Sequence, residues 1–124
     1  MKYLNEDQKN ALEEIKDRVR KEFAVEYFKL FGSAVRGEMD EESDIDLLIV
    51  TIRELDREEK HKIIEIVFKV NLKYETNFST LIVYEEIWNG KYSVMPIYQE
   101  IEKEGVKVGW QERSYRRVTL SFID

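Results

Sequence analysis

Apolar positions recur along this chain with two periods, and the switches between them divide it into elements. Asn5-Glu6-Asp7-Gln8 has the form of a capping box, a short polar side chain with Gln three residues on. Leu12, Ile15, Val19 and Phe23 follow at helical spacing, which predicts a first helix to about Glu22 whose other face is solvated Lys, Arg and Glu. Val25–Phe31 is rich in aromatic and β-branched residues and reads as a strand. A second strand is predicted over residues 44–51. Past Asp46 it becomes continuously apolar, as a strand buried on both faces does, so its polar end lies at a rim and its apolar end in the core. Asp56-Arg57-Glu58-Glu59 repeats the capping pattern ahead of a second long helix carrying Ile63, Ile64, Val67, Phe68 and Asn71, with Val70 and Tyr74 one turn apart. His61, between Lys60 and Lys62, reads as a surface residue.

Phe78–Tyr84 is a third predicted strand, and residues 85–90 a turn or short helix with Trp88 as an aromatic plug. Ser93 is expected to cap a third helix with Pro96 in its first turn, Val94, Ile97 and Ile101 as its buried stripe and Gly105 as its stop. Residues 106–108 suit a short closing strand. In the tail, 110–124, Arg113, Arg116 and Arg117 precede Val118, Leu120 and Phe122, which alternate with Thr119 and Ser121. That pattern suits an edge strand of the same sheet, a frayed end, or a strand that a partner covers. The order helix, strand, turn, strand, helix, strand, helix predicts an α/β (α+β) sandwich, a short mixed sheet packed against helices with a polar rim.

Composition narrows the class. At 124 residues, 43% of them hydrophobic, the chain is expected to form one domain with a real core. No run reaches the length of a membrane span, and the first residues lack a signal peptide's apolar core. Without cysteine there are no disulfides and no zinc–thiolate sites, so the expected compartment is the cytoplasm. A net charge of −6 argues against strong nucleic-acid binding, which rests largely on neutralising phosphates.

The chemistry sits in one stretch. Asp44 and Asp46, two apart on a strand, project to the same face while Ile45 and Leu47 face the other way. Paired carboxylates repel unless a cation lies between them, and Mg²⁺ is held by one or two carboxylates plus substrate phosphates. Upstream, Gly32-Ser33 ends a strand where backbone N–H groups can meet a phosphate. Together these suggest metal-assisted nucleotide transfer. Each feature also has a plainer reading: an ordinary strand-to-helix turn with a capping serine, and a capped loop with a rim charge.

Gly32-Ser33, ten residues, then Asp44-Ile45-Asp46 resembles the signature of the nucleotidyltransferase superfamily related to DNA polymerase β. The flanking residues, Phe31 through Glu38 and Ser43 through Leu47, are similar to the minimal nucleotidyltransferases, many of them antitoxin partners of HEPN proteins. The likeness in element order spans roughly residues 4–108, and the motif itself residues 31–50. The resemblance implies a polymerase-β-like fold over residues 1–124, with 110–124 as a tail available to a partner. It implies Asp44 and Asp46 as catalytic metal ligands for Mg²⁺, and Gly32, Ser33 and Arg36 as binders of the ATP phosphates. It implies transfer of AMP to a hydroxyl, a tyrosine of a partner HEPN toxin, while the sequence leaves a homo-oligomer and a hetero-oligomer both open. Glu38 is expected to pair with Arg36 and stays outside the site.

One position departs from the superfamily pattern. A third acid usually stands in the next strand, but Phe78–Tyr84 contains none. Ser79 falls nearest that place, with Glu75 and Glu85 flanking the strand. Two carboxylates still suit metal–nucleotide binding, while the general base is missing. A second reading is therefore a nucleotide-binding antitoxin that neutralises by contact alone. A small-molecule nucleotidyltransferase is a third, although those carry an extra helical domain. Transfer to tRNA ends is disfavoured by the acidic charge.

Overall fold

The computed structural model describes residues 3–38 and 43–108. The elements are α1 (Glu6–Glu22), β1 (Val25–Phe31), α2 (Ser33–Arg36), β2 (Ile45–Thr51), α3 (Arg57–Tyr74), β3 (Phe78–Tyr84), α4 (Glu85–Asn89), a 3₁₀ turn (Lys91–Val94), α5 (Pro96–Glu104) and β4 (Val106–Lys107). The strands form one sheet in the order β3-β2-β1-β4. β1 pairs antiparallel with both β2 and β4, and β2 pairs parallel with β3, so the sheet is mixed.

β2 is central and explains the two-sided core. Ile45, Leu47 and Ile49 face one layer, where α1 and α3 supply Leu12, Ile15, Val19, Ile63, Val67 and Val70. Leu48 and Val50 face the other, against Tyr27, Val83, Trp88 and Ile101. Full burial stabilises each such aliphatic side chain by about 1.5–3 kcal/mol, so the continuous apolar run is what fixes β2 in the middle. Both long helices begin with the expected capping boxes, Asn5 with Gln8 and Asp56 with Glu59. Glu14 ties α1 to α3 by accepting from Lys73 Nζ at 2.8 Å and the Tyr74 hydroxyl at 2.9 Å. Those bonds, Lys73 first, hold its carboxyl below the usual carboxylate range.

Three expectations are corrected. α5 begins at Pro96 with Met95 before it, and Ser93 instead closes the 3₁₀ turn by donating to the Gly90 carbonyl at 2.7 Å. Pro96 explains the shift, since it starts a helix readily but cannot donate within one. Val94 consequently lies outside the helix and is exposed, while Ile101 is buried as expected. On α3 the buried stripe is Ile63, Ile66, Val67 and Val70, whereas Ile64 and Phe68 point to solvent. That helix is apolar over a wider arc than one sheet face can cover. The tail, 110–124, lies outside the described residues.

Candidate active site

The signature residues meet at one end of the sheet. β1 ends at Phe31, which is the register partner of Asp46 near the start of β2. The chain then turns through Gly32, at φ 77° and ψ −151°, into the short helix α2. A Cβ placed on Gly32 would lie 2.3 Å from Asp46 Oδ2. The Asp46 carboxylate therefore rests directly over the glycine backbone, and only a residue without a side chain permits both that angle and that approach. Ser33 opens α2.

Asp44 immediately precedes β2 and is exposed, and Asp46 is half-buried. Burial pushes the Asp46 carboxyl above the usual carboxylate range, the nearby Asp44 charge adds to this, and Arg36 opposes it. Two like charges within electrostatic reach, one partly desolvated, form a donor set that a divalent cation relieves. Hard carboxylate oxygens in that number fit Mg²⁺, which completes its shell with water and phosphate. Among the described residues no group of three or more His, Cys, Asp or Glu side chains is clustered to hold a metal.

In the parallel ladder Asp46 is the register partner of Ser79. Alternation along β3 sends Phe78 and Ile82 to the α1/α3 layer and Leu81 and Val83 to the other, so Ser79 shares a face with Asp46. Ser79 is exposed, and with Asp44 it lines a groove of about 380 Å³ whose walls include Ile64, Phe68, Asn71 and Thr80. Glu75 and Glu85 lie beyond the two ends of β3.

Arg36 is close enough to act on Asp46, but its fork is engaged. It donates to Glu38 at 3.1 Å, as the sequence suggested, and also to Glu100 at 3.3 Å and Glu104 at 3.1 Å on α5. The last two contacts span 64 and 68 positions, a range over which no local pattern signals pairing. Asn71 was read as part of a helical stripe. Instead its side chain donates to the Phe78 carbonyl at 3.0 Å and accepts from the Phe78 N–H at 2.9 Å, which fixes the start of β3 beside the site. His61 is exposed, as expected.

The profile of the nucleotidyltransferase domain family matches residues 12–108. The chain belongs to that family. This nucleotidyltransferase is 42% identical over 79 residues to the "Putative protein adenylyltransferase MJ0141" of Methanocaldococcus jannaschii, covering 64% of this chain and 74% of that protein. It is 36% identical over 76 residues to the "Putative protein adenylyltransferase MJ0604" of the same organism, covering 61% and 70%. Two solved structures share the fold. A toxin–antitoxin crystal structure with AMP-PNP aligns with a TM-score of 0.56 at 15% identity, over 96% of this chain and 87% of that one. A mutant of the toxin–antitoxin MntA–HpeT aligns with a TM-score of 0.54 at 16% identity, over 97% and 84%. No helix among the described residues of this nucleotidyltransferase is long and apolar enough to cross a membrane.

Proposed function

We propose that this nucleotidyltransferase binds ATP with Mg²⁺ at Asp44, Asp46 and the Gly32-Ser33 turn, and transfers AMP to a phenolic hydroxyl on a partner toxin of the HEPN type. The observation that carries the reading is the Asp46 carboxylate seated on the Gly32 backbone. It brings Gly32 and Asp46, fourteen positions apart in sequence, into contact. Relatives named as protein adenylyltransferases support the choice of AMP and of a protein acceptor. The fold likeness to an antitoxin-containing complex with a bound ATP analogue is compatible with the cytoplasmic antitoxin role.

The residues then have distinct tasks. Asp44 and Asp46 hold the cation, which when bound neutralises the phosphates and polarises the α-phosphorus. Gly32 lets the triphosphate approach the backbone, and the Ser33 hydroxyl and amide are available to its oxygens. Arg36 serves the triphosphate through its charge, and direct contact requires it to exchange a glutamate for a phosphate. The acceptor oxygen bonds to the α-phosphorus as the α–β bridging bond breaks and pyrophosphate departs in line.

Ser79 bears on the acceptor class. β3 offers no carboxylate to act as a base, which favours an acceptor that gives up its proton readily. A phenol does so far more readily than an aliphatic hydroxyl, so tyrosine suits this site better than serine or a sugar. The same serine favours one alternative, a nucleotide-binding antitoxin that neutralises by contact alone. Incubating the chain with α-labelled ATP, Mg²⁺ and its toxin tests the reading. Label on a toxin tyrosine, lost in the Asp44→Ala/Asp46→Ala variant together with neutralisation, is expected. Neutralisation that survives the double substitution without any label would establish the contact mechanism instead.

A further inference from the structure

The two sides of the candidate site differ. Along its rim the strands stand in the order β3-β2-β1, with Asp46 of β2 level with Ser79 of β3 on one side and Phe31 of β1 on the other. Gly32 and Ser33 follow Phe31, so the turn assigned to the phosphates lies on the β1 side of the aspartates. Nucleotidyl transfer puts the attacking and leaving oxygens on opposite sides of the phosphorus. With the departing pyrophosphate at Gly32-Ser33, the acceptor oxygen arrives from the β3 side.

On that side lies the groove headed by Asp44 and Ser79. β3 is the outermost of the described strands, which leaves the groove open along its length. Ser79 puts a small neutral side chain at its head, and beyond it α3 contributes Ile64 and Phe68. These two are 51% and 60% exposed, and Leu72, at 66%, continues the same helix face one turn on. Apolar side chains of this size left in water along one stripe mark a surface that another molecule covers.

We propose that Ile64 and Phe68 seat the acceptor, an extended polypeptide segment. Its tyrosine reaches the α-phosphorus at the Asp44–Ser79 end, and apolar residues beside that tyrosine cover the two side chains. The inference rests on the nucleotide site proposed above and adds what selects the acceptor. Ile64 and Phe68 stand about 6 Å apart along the helix, close to the roughly 6.6 Å between alternate side chains of an extended chain. One face of such a segment therefore places an apolar residue on each. Asp44 at the groove's head and the net charge of −6 disfavour a nucleic acid in the same place. A sugar or other small hydrophilic acceptor would leave the stripe in water. In the step itself the phenolic oxygen bonds to the α-phosphorus and the bond to the α–β bridging oxygen breaks. Pyrophosphate leaves with that electron pair, and the phenolic proton passes to water.

Transfer from α-labelled ATP with Mg²⁺ to synthetic tyrosine peptides tests this on the full chain. Two peptides carry leucines at alternate positions, after the tyrosine in one and before it in the other, and a third has serines in their place. The better leucine peptide is expected to show a KM at least about tenfold below that of the serine peptide. In an Ile64→Ser/Phe68→Ser chain that KM should rise at least about tenfold while kcat stays within about threefold. Ile52→Ser, at a side chain equally exposed at 51% just beyond the other end of β2, should leave the KM as in wild type. Calorimetry should give all three chains the same Mg²⁺–ATP affinity, which reports that each is folded with its nucleotide site intact. Equal KM for leucine and serine peptides, a KM indifferent to the double substitution, or no label on any peptide from a chain that binds Mg²⁺–ATP overturns the proposal. A wild-type chain that binds no Mg²⁺–ATP overturns the nucleotide site itself, and the acceptor seat with it.

Discussion

Gly32 and Gly37 form a matched pair in which backbone strain separates from site geometry. Both have positive φ, 77° and 72°. At Gly37 a Cβ meets nothing within 4 Å, whereas at Gly32 it meets Asp46 Oδ2 at 2.3 Å. Gly37→Ala should therefore cost only the left-handed penalty, about 1 kcal/mol. Gly32→Ala places alanine in a region that is essentially glycine's alone, at about 2–3 kcal/mol. It also forces the carboxylate back by about 1 Å to reach ordinary contact distance. A displacement of that size at a charge-positioning group weakens Mg²⁺–ATP binding by at least about tenfold, or ~1.4 kcal/mol. The assay is calorimetric titration of both variants with ATP and Mg²⁺, well below their melting temperatures, so that each is folded. The account expects Gly37→Ala to bind like wild type and Gly32→Ala to bind at least tenfold more weakly. Affinities within threefold of each other would refute the claim that Gly32 exists to seat the carboxylate.

Asp46→Asn removes a charge that burial and Asp44 both disfavour, so the melting temperature should hold or rise by a few degrees while AMP transfer falls about a hundredfold or more. Asn71→Ala loses the two bonds to Phe78 and one from Thr76 Oγ1, costing about 2 kcal/mol and lowering Tm by roughly 8 °C in a thermal melt. Burial pushes the Tyr27 hydroxyl up to about 12 from its ordinary 10, with neighbouring carboxylates adding to the effect. Its contribution is complete below pH 10 and is lost as pH rises through 10 to 12. The urea midpoint of wild type should therefore fall more steeply than that of Tyr27→Phe across that window, and parallel curves would contradict the assignment.

What could be read along the chain was local or tightly patterned. Capping boxes at Asn5 and Asp56, the two-sided apolar run of β2 and the plug at Trp88 are all short-range signals, and each holds. The α3 stripe misled because Ile64 and Phe68 satisfy helical periodicity as well as Ile66 does. Periodicity cannot say which arc of an over-apolar helix meets the sheet. The spacing of Gly32, Asp44 and Asp46 suggested that they gather at one end of the sheet, and they do. The contact between Asp46 and Gly32 was not legible, because it depends on how β1 registers against β2. The glutamates that hold Arg36 lie on α5, and only tertiary packing brings them there. Ser79 stands level with Asp46 through the parallel register of β2 with β3, which the pattern of neither strand alone encodes.

The central claim is that two carboxylates and a glycine turn together hold a metal–triphosphate. Titrating the intact chain with ATP, first with Mg²⁺ and then with EDTA, tests it most directly, with the Asp44→Ala/Asp46→Ala chain alongside. The account predicts one ATP per chain, bound only when the metal is present and not at all by the doubly substituted chain. Binding that ignores both the chelator and the loss of the two acids would contradict it.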